Sequence, residues 1–234
     1  MNRIVLSAFA VAALTGVAQA DIYTGGTVGS IPDGTGSNTP GAAAIFTLNA
    51  SNGANPTITS FNGITMNIAH SWIGDLVITL TSPGGAVADI LVRYGDTTAS
   101  GSGMNMNLGQ NNLSTGQIPA IYTFVNSGTP LPAVAPASGF LAAGTYNRAG
   151  AANGSVVATG ASGNDFTIFN GGNVNGVWTL TIRDFFNGDV GFLAAIPPST
   201  FEGWSLDITT TAVPTPGAAA LLGMGGLLVG RRRR

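Results

Sequence analysis

Four short runs of the sequence alternate apolar and polar residues with a period of two. Their apolar members are Ile64, Met66 and Ile68; Leu76, Ile78 and Leu80; Trp178, Leu180 and Ile182; and Trp204, Leu206 and Ile208. A period of two puts successive side chains on opposite faces of a strand, so each run predicts a half-buried β-strand. No segment between residues 21 and 211 sustains a helical period. The sequence therefore predicts an all-β fold.

Turn-forming residues separate the predicted strands about every ten residues, which is typical of a β-sandwich or jelly roll. The Ser-Pro-Gly-Gly segment at residues 82–85 predicts a tight turn joining strands at residues 76–81 and 87–93. Weaker strands are predicted at residues 43–48, 117–125 and 166–169. The Gly-, Ala-, Pro- and Asn-rich stretch at 95–164 predicts two or three short strands and an enlarged loop at 127–146.

The first twenty residues have the layout of a secretory signal peptide. Arg3 supplies a positive start, residues 4–17 form an apolar run, and Ala18 and Ala20 form a small-residue cleavage motif. The chain is therefore expected to be exported, with signal peptidase cutting before Asp21. A buried N-terminal helix is the alternative interpretation.

Charge is scarce and unevenly placed. Between residues 21 and 211 there are three arginines and all ten acidic residues of the chain, a formal charge of −7. Such a body cannot neutralise many phosphates, so nucleic acid is not an expected partner. The chain has no cysteine, which excludes disulfides and cysteine-bound metals, so its core alone must stabilise the fold.

The segment at residues 212–234 has three parts. They are a Pro-x-Pro motif (Val213, Pro214, Thr215, Pro216), an apolar run of small residues at 217–230, and a basic end (Arg231, Arg232, Arg233, Arg234). As a helix the apolar run spans about 21 Å, less than the roughly 30 Å of a bilayer core, and the arginines should stay cytoplasmic. A simple tail anchor is one interpretation of this layout.

The same layout resembles the PEP-CTERM sorting tail, although Thr215 stands where that motif usually has Glu. The resemblance implies an exosortase-like sorting enzyme as a partner and a Gram-negative-type bacterium that makes extracellular polysaccharide. It also implies transient anchoring in the inner membrane, followed by placement on the outer surface or outside the cell. The expected organisation is thus a signal peptide at 1–20, a β-sandwich at 21–211 and a sorting tail at 212–234.

Four blocks of the body resemble the P domain (P/Homo B domain) that accompanies subtilisin-like proprotein convertases. They are residues 31–34 (IPDG), 70–85 (HSWIGDLVITLTSPGG), 175–193 (NGVWTLTIRD and GDVGFL within it) and 204–208 (WSLDI). The resemblance spans about residues 22–210 and departs from the family at 93–165, which is longer than the family usually needs. It implies a jelly-roll β-sandwich of about eight strands that is not catalytic. It also implies a module that stabilises a protease or stands attached to another domain, sometimes with bound calcium.

Oxygen-bearing side chains cluster on several predicted turns. The candidate calcium ligands are Asp184, Asn187, Asp189, Asp75, Asp33 and Asp165, and the loop from Asp184 to Asp189 is the best candidate. Carboxylates and amides on turns can supply the six to eight oxygens that calcium prefers. The alternative interpretation is that each Asp caps a turn by accepting backbone N–H groups.

A catalytic role has little support in the sequence. His70 is the only histidine, no Gly-x-Ser-x-Gly segment is present, and zinc lacks its usual ligands. His70 continues the apolar face of its run, which favours a packing or hydrogen-bonding role. The expected function is a non-catalytic, exported surface or matrix module. Three alternatives stay open: a calcium-dependent carbohydrate-binding module, a partner of a separate subtilisin-like protease, and a hydrolase with an acidic site.

Overall fold

Two β-sheets form the framework of the described chain, which in this computed structural model comprises residues 18–53, 56–96, 103–112, 116–150, 163–189, 191–193 and 203–211. The strands are Ala18–Tyr23 (β1), Gly29–Ile31 (β2), Ala44–Ala50 (β3), Ile58–His70 (β4), Leu76–Thr81 (β5), Val87–Val92 (β6), Asn107–Leu108 (β7), Gln110–Asn112 (β8), Gly116–Ile118 (β9), Ala120–Val125 (β10), Phe140–Leu141 (β11), Gly144–Asn147 (β12), Gly176–Asp184 (β13), Gly191–Leu193 (β14) and Trp204–Thr211 (β15). Short 3-10 turns occur at Ile73–Asp75 and Phe166–Phe169. The predicted all-β fold is confirmed.

The larger sheet has the strand order β1–β15–β4–β10–β12, and the smaller sheet has the order β3–β13–β5–β6. Short strands β7 and β14 also pair with β4, and β11 and β2 extend them, whereas β8 and β9 form a separate hairpin. Within the described residues, no helix is both long and apolar enough to cross a membrane. Residues 1–17 of the predicted signal peptide and the whole sorting tail, including Val213 to Pro216 and the terminal arginines, lie outside the described residues.

The core lies between the two sheets and is built by the period-two pattern. In β13, Trp178, Leu180 and Ile182 are buried, and the residues between them are more exposed. In β3 every second residue from Ala44 to Ala50 is buried in the same way. Trp178 and Trp204 are both 0 % exposed, so the prediction that they are core residues is confirmed.

Local chain geometry explains where several predicted strands begin and end. The predicted hairpin is confirmed, because β5 and β6 pair antiparallel and Gly85 N donates to Ser82 O in the turn between them. The strand predicted at 117–125 is instead two strands, β9 and β10, separated at Pro119. Proline has no backbone N–H to donate to a sheet ladder, so it interrupts the run.

Two predictions about local structure are wrong. The strand predicted at residues 166–169 is a 3-10 turn, in which Asp165 accepts the backbone N–H of Thr167. Phe166 and Phe169, three residues apart, both pack on Phe61, and a turn with three residues per repeat allows this. The described parts of the 95–164 region contain six short strands, β7 to β12, rather than two or three, and β11 lies inside the loop predicted at 127–146.

The long strand β4 defines two ends of the sandwich. At its first residue, Ile58, it pairs with Thr210, and there β1 and β15 place Ala18 opposite Thr211. We call this end the terminal pole. At its last residue, His70, β4 pairs with β14, and we call that end the loop pole. Thirteen residues separate the poles, about 40 Å at roughly 3.3 Å per residue.

Strand β1 crosses the predicted signal cleavage point. Ala18, Gln19 and Ala20 pair with Thr211, Thr210 and Thr209, but the side chains of these three β1 residues are exposed. Tyr23 is the first β1 residue whose side chain is buried. The core therefore starts after the predicted cleavage point, even though the strand starts before it.

Candidate functional site

Three carboxylates meet at the loop pole, and we call Asp75, Asp184 and Asp189 the acidic cluster. One oxygen from each lies within 4.8 Å of the others. Asp184 ends β13 and pairs with Leu76, the first residue of β5, so the antiparallel ladder brings Asp184 next to Asp75. Strand order thus joins carboxylates that lie more than a hundred residues apart in the sequence.

Asp189 reaches the cluster through the loop that follows β13. Strand β14 pairs with β4 so that Gly191 lies opposite His70, which brings Asp189, two residues earlier, to the end of β4. There the hydroxyl of Ser71 donates to Asp189 Oδ1 at 2.7 Å. Asp75 and Asp184 are buried, whereas Asp189 is half-buried. The cluster is therefore open to solvent on the Asp189 side.

Asp75 is the most strongly perturbed member of the cluster. Burial is the largest cause that raises its pKa, from an ordinary 3.8 to about 9. A hydrogen bond with Asp189 and the negative charges of Asp189 and Asp184 raise the pKa further, whereas the Arg93 guanidinium lowers it. Asp75 Oδ1 is buried and has no hydrogen-bond partner among the described residues. An unpaired buried carboxylate oxygen is costly, so this environment favours a positive charge beside Asp75.

His70 borders the cluster and is fully buried. Its Nε2 lies 3.1 Å from Asp184 Oδ2, and its Nδ1 lies 3.1 Å from the backbone N and 3.0 Å from the backbone O of Trp72. Both ring nitrogens are thus occupied, and neither partner is a hydroxyl nucleophile. The predicted hydrogen-bonding role of His70 is confirmed by these contacts.

A buried arginine beside the cluster was not singled out in the sequence. Arg93 is 0 % exposed, its Nη2 lies 3.1 Å from Asp96 Oδ2, and its Nη1 donates to Asn38. Its guanidinium lies 5.3 Å from the ring centres of both Phe185 and Phe186, which favours cation–π attraction. Only the scarcity of arginine in the body hinted at such a role.

The six predicted ligands do not all come together. Asp75, Asp184 and Asp189 form the cluster, and Asn187 is exposed on the same loop. Asp33 is adjacent, but its two oxygens accept the backbone N–H groups of Gly188 at 2.9 Å and Asp189 at 3.2 Å.

Asp165 lies apart from the cluster, where it caps the 3-10 turn at Phe166–Phe169. The two hydrogen bonds from Thr167 are the main reason that its pKa is lowered. For Asp165 the structure thus matches the alternative interpretation, that of a turn cap.

Comparison with protein families identifies the segment that contains β5, β6 and the acidic residue before them. Residues 63–114 match the family model of the proprotein convertase P-domain. The resemblance to the P-domain is confirmed over this stretch. It runs from within β4 to β8 and includes His70, Asp75 and Arg93. Comparison with curated proteins finds no match for the chain.

The chemistry of the acidic cluster follows from its donors. Each of the three carboxylates can offer an oxygen, and hard cations such as calcium prefer oxygen ligands. Both oxygens of Asp184 also accept hydrogen bonds, Oδ2 at 3.1 Å from His70 Nε2 and Oδ1 at 3.0 Å from the Phe186 N–H. Asp75 Oδ1, buried without a partner among the described residues, is an available donor within this group. The residues present therefore fit a divalent cation of the calcium class.

Proposed function

We propose that this chain is a non-catalytic, P-domain-like accessory module whose loop pole is held together by a calcium ion. The observation that supports a bound cation is the acidic cluster, in which Asp75 Oδ1 is buried without a partner among the described residues. A calcium ion there would receive ligands from the start of β5, the end of β13 and the loop after it. It would link these elements and neutralise the carboxylates.

Calcium binding is tested on the purified body, residues 21–211, after treatment with a chelator. Titration with calcium, followed by calorimetry, is expected to show one ion per chain. Asp184→Asn is expected to weaken binding strongly, and Asp165→Asn, which changes an acidic residue outside the cluster, is expected to leave it unchanged. Equal binding by wild type and Asp184→Asn would contradict the proposed site.

Trp72 offers a second readout for the same titration. It is half-buried, and its backbone contacts His70 beside the cluster, whereas Trp178 and Trp204 lie in the core. Calcium is therefore expected to change the tryptophan emission of the wild type, and Trp72→Phe should remove most of that change. Persistence of the full change in Trp72→Phe would show that the signal arises elsewhere.

The proposed lack of catalysis is supported by the contacts of His70. A histidine base needs a free ring nitrogen near its nucleophile, and Trp72 and Asp184 occupy both nitrogens. In proprotein convertases the P-domain is itself an accessory domain rather than the protease. A broad hydrolase screen on residues 21–211 is expected to show no turnover. Turnover that Asp75→Asn abolishes would instead favour the hydrolase with an acidic site.

The proposed route is export, transient anchoring and release. The signal-like layout that ends at Ala20 and the PEP-CTERM-like tail beginning at Val213 support this route. Expression in a Gram-negative host is expected to yield a protein that starts at Asp21. With an exosortase present, the released form should end near Pro214–Gly217, and replacement of Arg231 to Arg234 by Gln should prevent this processing. Identical processing without exosortase would favour a simple tail anchor.

A calcium-dependent carbohydrate-binding module is the second candidate. The half-buried Asp189 is the observation in its favour, since it leaves one side of the cluster accessible. The burial of Asp75 and Asp184 favours a structural ion over a ligand-binding one. Glycan-array binding that is lost with chelator and in Asp184→Ala would select this candidate, and the absence of glycan binding would reject it.

Partnership with a separate subtilisin-like protease is supported by the P-domain match alone. Affinity purification of the exported chain from its own cells is expected to recover such a protease if this is the role. A recovered protease whose stability does not change when the chain is deleted would argue against a stabilising function.

A further inference from the structure

The loop that carries Asp189 is bound along its length by a segment near the start of the chain. Gly34 N donates to Phe186 O at 3.0 Å, Thr39 N donates to Phe185 O at 2.9 Å, and Gly41 N donates to Asp184 O at 2.9 Å. The segment at residues 33–41 thus forms a clamp on the backbone of residues 184–186. The clamp lies outside the P-domain match at 63–114.

Asp33 extends this clamp to the far end of the loop. Its Oδ2 accepts the N–H of Gly188 at 2.9 Å, and its Oδ1 accepts the N–H of Asp189 at 3.2 Å. Both carboxylate oxygens are therefore engaged by backbone groups. Asp184 also has both oxygens hydrogen-bonded, so what sets Asp33 apart is its position: it is not one of the three carboxylates whose oxygens lie within 4.8 Å of one another.

The three members of the acidic cluster differ in how they are held. Asp184 lies in the β13 ladder, and Asp75 closes a 3-10 turn directly before β5. Asp189 lies beyond the end of β13, so its place depends on the loop and on what binds that loop. The Asp33 side chain contacts the backbone of Asp189 itself.

We propose that Asp33 is a positioning residue for Asp189, which sets the calcium affinity of the acidic cluster without contacting the ion. The proposal rests on the calcium site described above. Outer-shell hydrogen bonds of this kind fix the orientation of a ligand, and their loss typically weakens metal affinity by about 10- to 100-fold. The sequence predicted Asp33 as a direct calcium ligand, and this proposal gives it a different role.

The test compares Asp33→Ala with Asp33→Asn. Both variants remove the same charge, but Asn keeps one acceptor oxygen for the loop N–H groups. We expect Asp33→Ala to weaken calcium binding by about 10- to 100-fold and Asp33→Asn to weaken it less. Equal losses in the two variants would assign the effect to charge and overturn the positioning role, as would unchanged affinity in Asp33→Ala.

Terbium luminescence lifetimes in light and heavy water separate a positioning residue from a ligand, since they report the water molecules bound to the ion. Asp33→Ala is expected to keep the wild-type hydration of bound terbium, whereas Asp189→Ala should raise it. A rise in Asp33→Ala would show that Asp33 is itself a ligand. Asp165→Ala, which removes an equal charge outside the cluster, serves as the control.

Hydrogen exchange in the calcium-free protein keeps this test independent of the calcium proposal. Asp33→Ala should speed exchange of the Gly188 and Asp189 amides and leave the Ile182 amide in β13 protected. If the wild type binds no calcium but these two amides exchange faster in Asp33→Ala, the calcium proposal is wrong and the role of Asp33 in holding the loop is kept. If neither amide responds, the positioning role fails whatever the protein binds.

Discussion

Replacing Asp75 by Asn should stabilise the calcium-free protein, and the effect should depend steeply on pH. Asn has nearly the same shape as Asp, can still donate a hydrogen bond to Asp189, and carries no charge. The folded protein raises the pKa of Asp75 to about 9, whereas the unfolded chain leaves it near 3.8. Folding in alkaline solution must therefore keep a proton on Asp75 that the unfolded chain releases.

The sign and size of this effect follow from linkage. A raised pKa in the folded state means that stability falls as pH rises from about 4 toward about 9. Each pH unit in that window is worth about 1.4 kcal/mol, so the limit near pH 8 is about 6 kcal/mol. Water entry and loop relaxation reduce such penalties, and we expect Asp75→Asn to gain about 2–3 kcal/mol near pH 8 and almost nothing near pH 4.

The assay is urea unfolding of wild type and Asp75→Asn in chelator at several pH values. Asp165→Asn is the contrasting control, because the pKa of Asp165 is lowered and any stability from its charge should be lost as pH falls. Saturating calcium should reverse the order of wild type and Asp75→Asn, since the wild type gains about 4.1 kcal/mol at about a thousandfold excess over Kd. Equal or lower stability of Asp75→Asn near pH 8 in chelator would refute the reasoning.

Three further predictions concern the fold and are checked by urea unfolding. Trp178→Ala should lose about 3–5 kcal/mol, because this fully buried ring packs on two aromatic neighbours, Phe61 and Phe169. Gly41→Ala should lose about 1–3 kcal/mol, since its Cβ would lie 2.1 Å from the backbone O of Asp33, whereas Gly36→Ala, with 3.7 Å to its nearest neighbour, should stay within about 0.5 kcal/mol. A chain that starts at residue 21 should lose about 1–2 kcal/mol relative to one that starts at residue 18, because the three extra side chains are exposed and only their backbone pairing with β15 is removed.

The strands that the sequence predicts best are those whose two faces meet different surroundings. In β13 the alternation of Trp178, Leu180 and Ile182 with polar residues reflects a core on one side and solvent on the other. The 3-10 turn at Phe166–Phe169 was not predicted because it is only four residues long. Its two buried phenylalanines are its first and last residues, and so short a segment shows no period. The strands β7 to β12 are mostly two to four residues long and show no clear alternation for the same reason.

The sequence predicted that acidic residues form the candidate site, but not which of them come together. Asp184 and Asp189 lie on one recognisable loop, and Asp75 follows the Trp-Ile-Gly segment of the P-domain motif. Only the pairing of β13 with β5 shows that Asp75 joins them. Asp33 looks like a fourth ligand in the sequence because nothing local reveals that backbone groups about 155 residues away occupy its oxygens.

The pairing of Ala18 with Thr211 at the terminal pole has a mechanical consequence. A pull between the segments that precede β1 and follow β15 would load this ladder one pair at a time, beginning at Ala18. Strand β1 would separate from β15 residue by residue as far as Ile22. Only then would a buried side chain, that of Tyr23, leave the core. The acidic cluster lies about 40 Å away along β4, so the first steps of this separation would not displace its carboxylates. The terminal pole can thus yield while the loop pole keeps its shape.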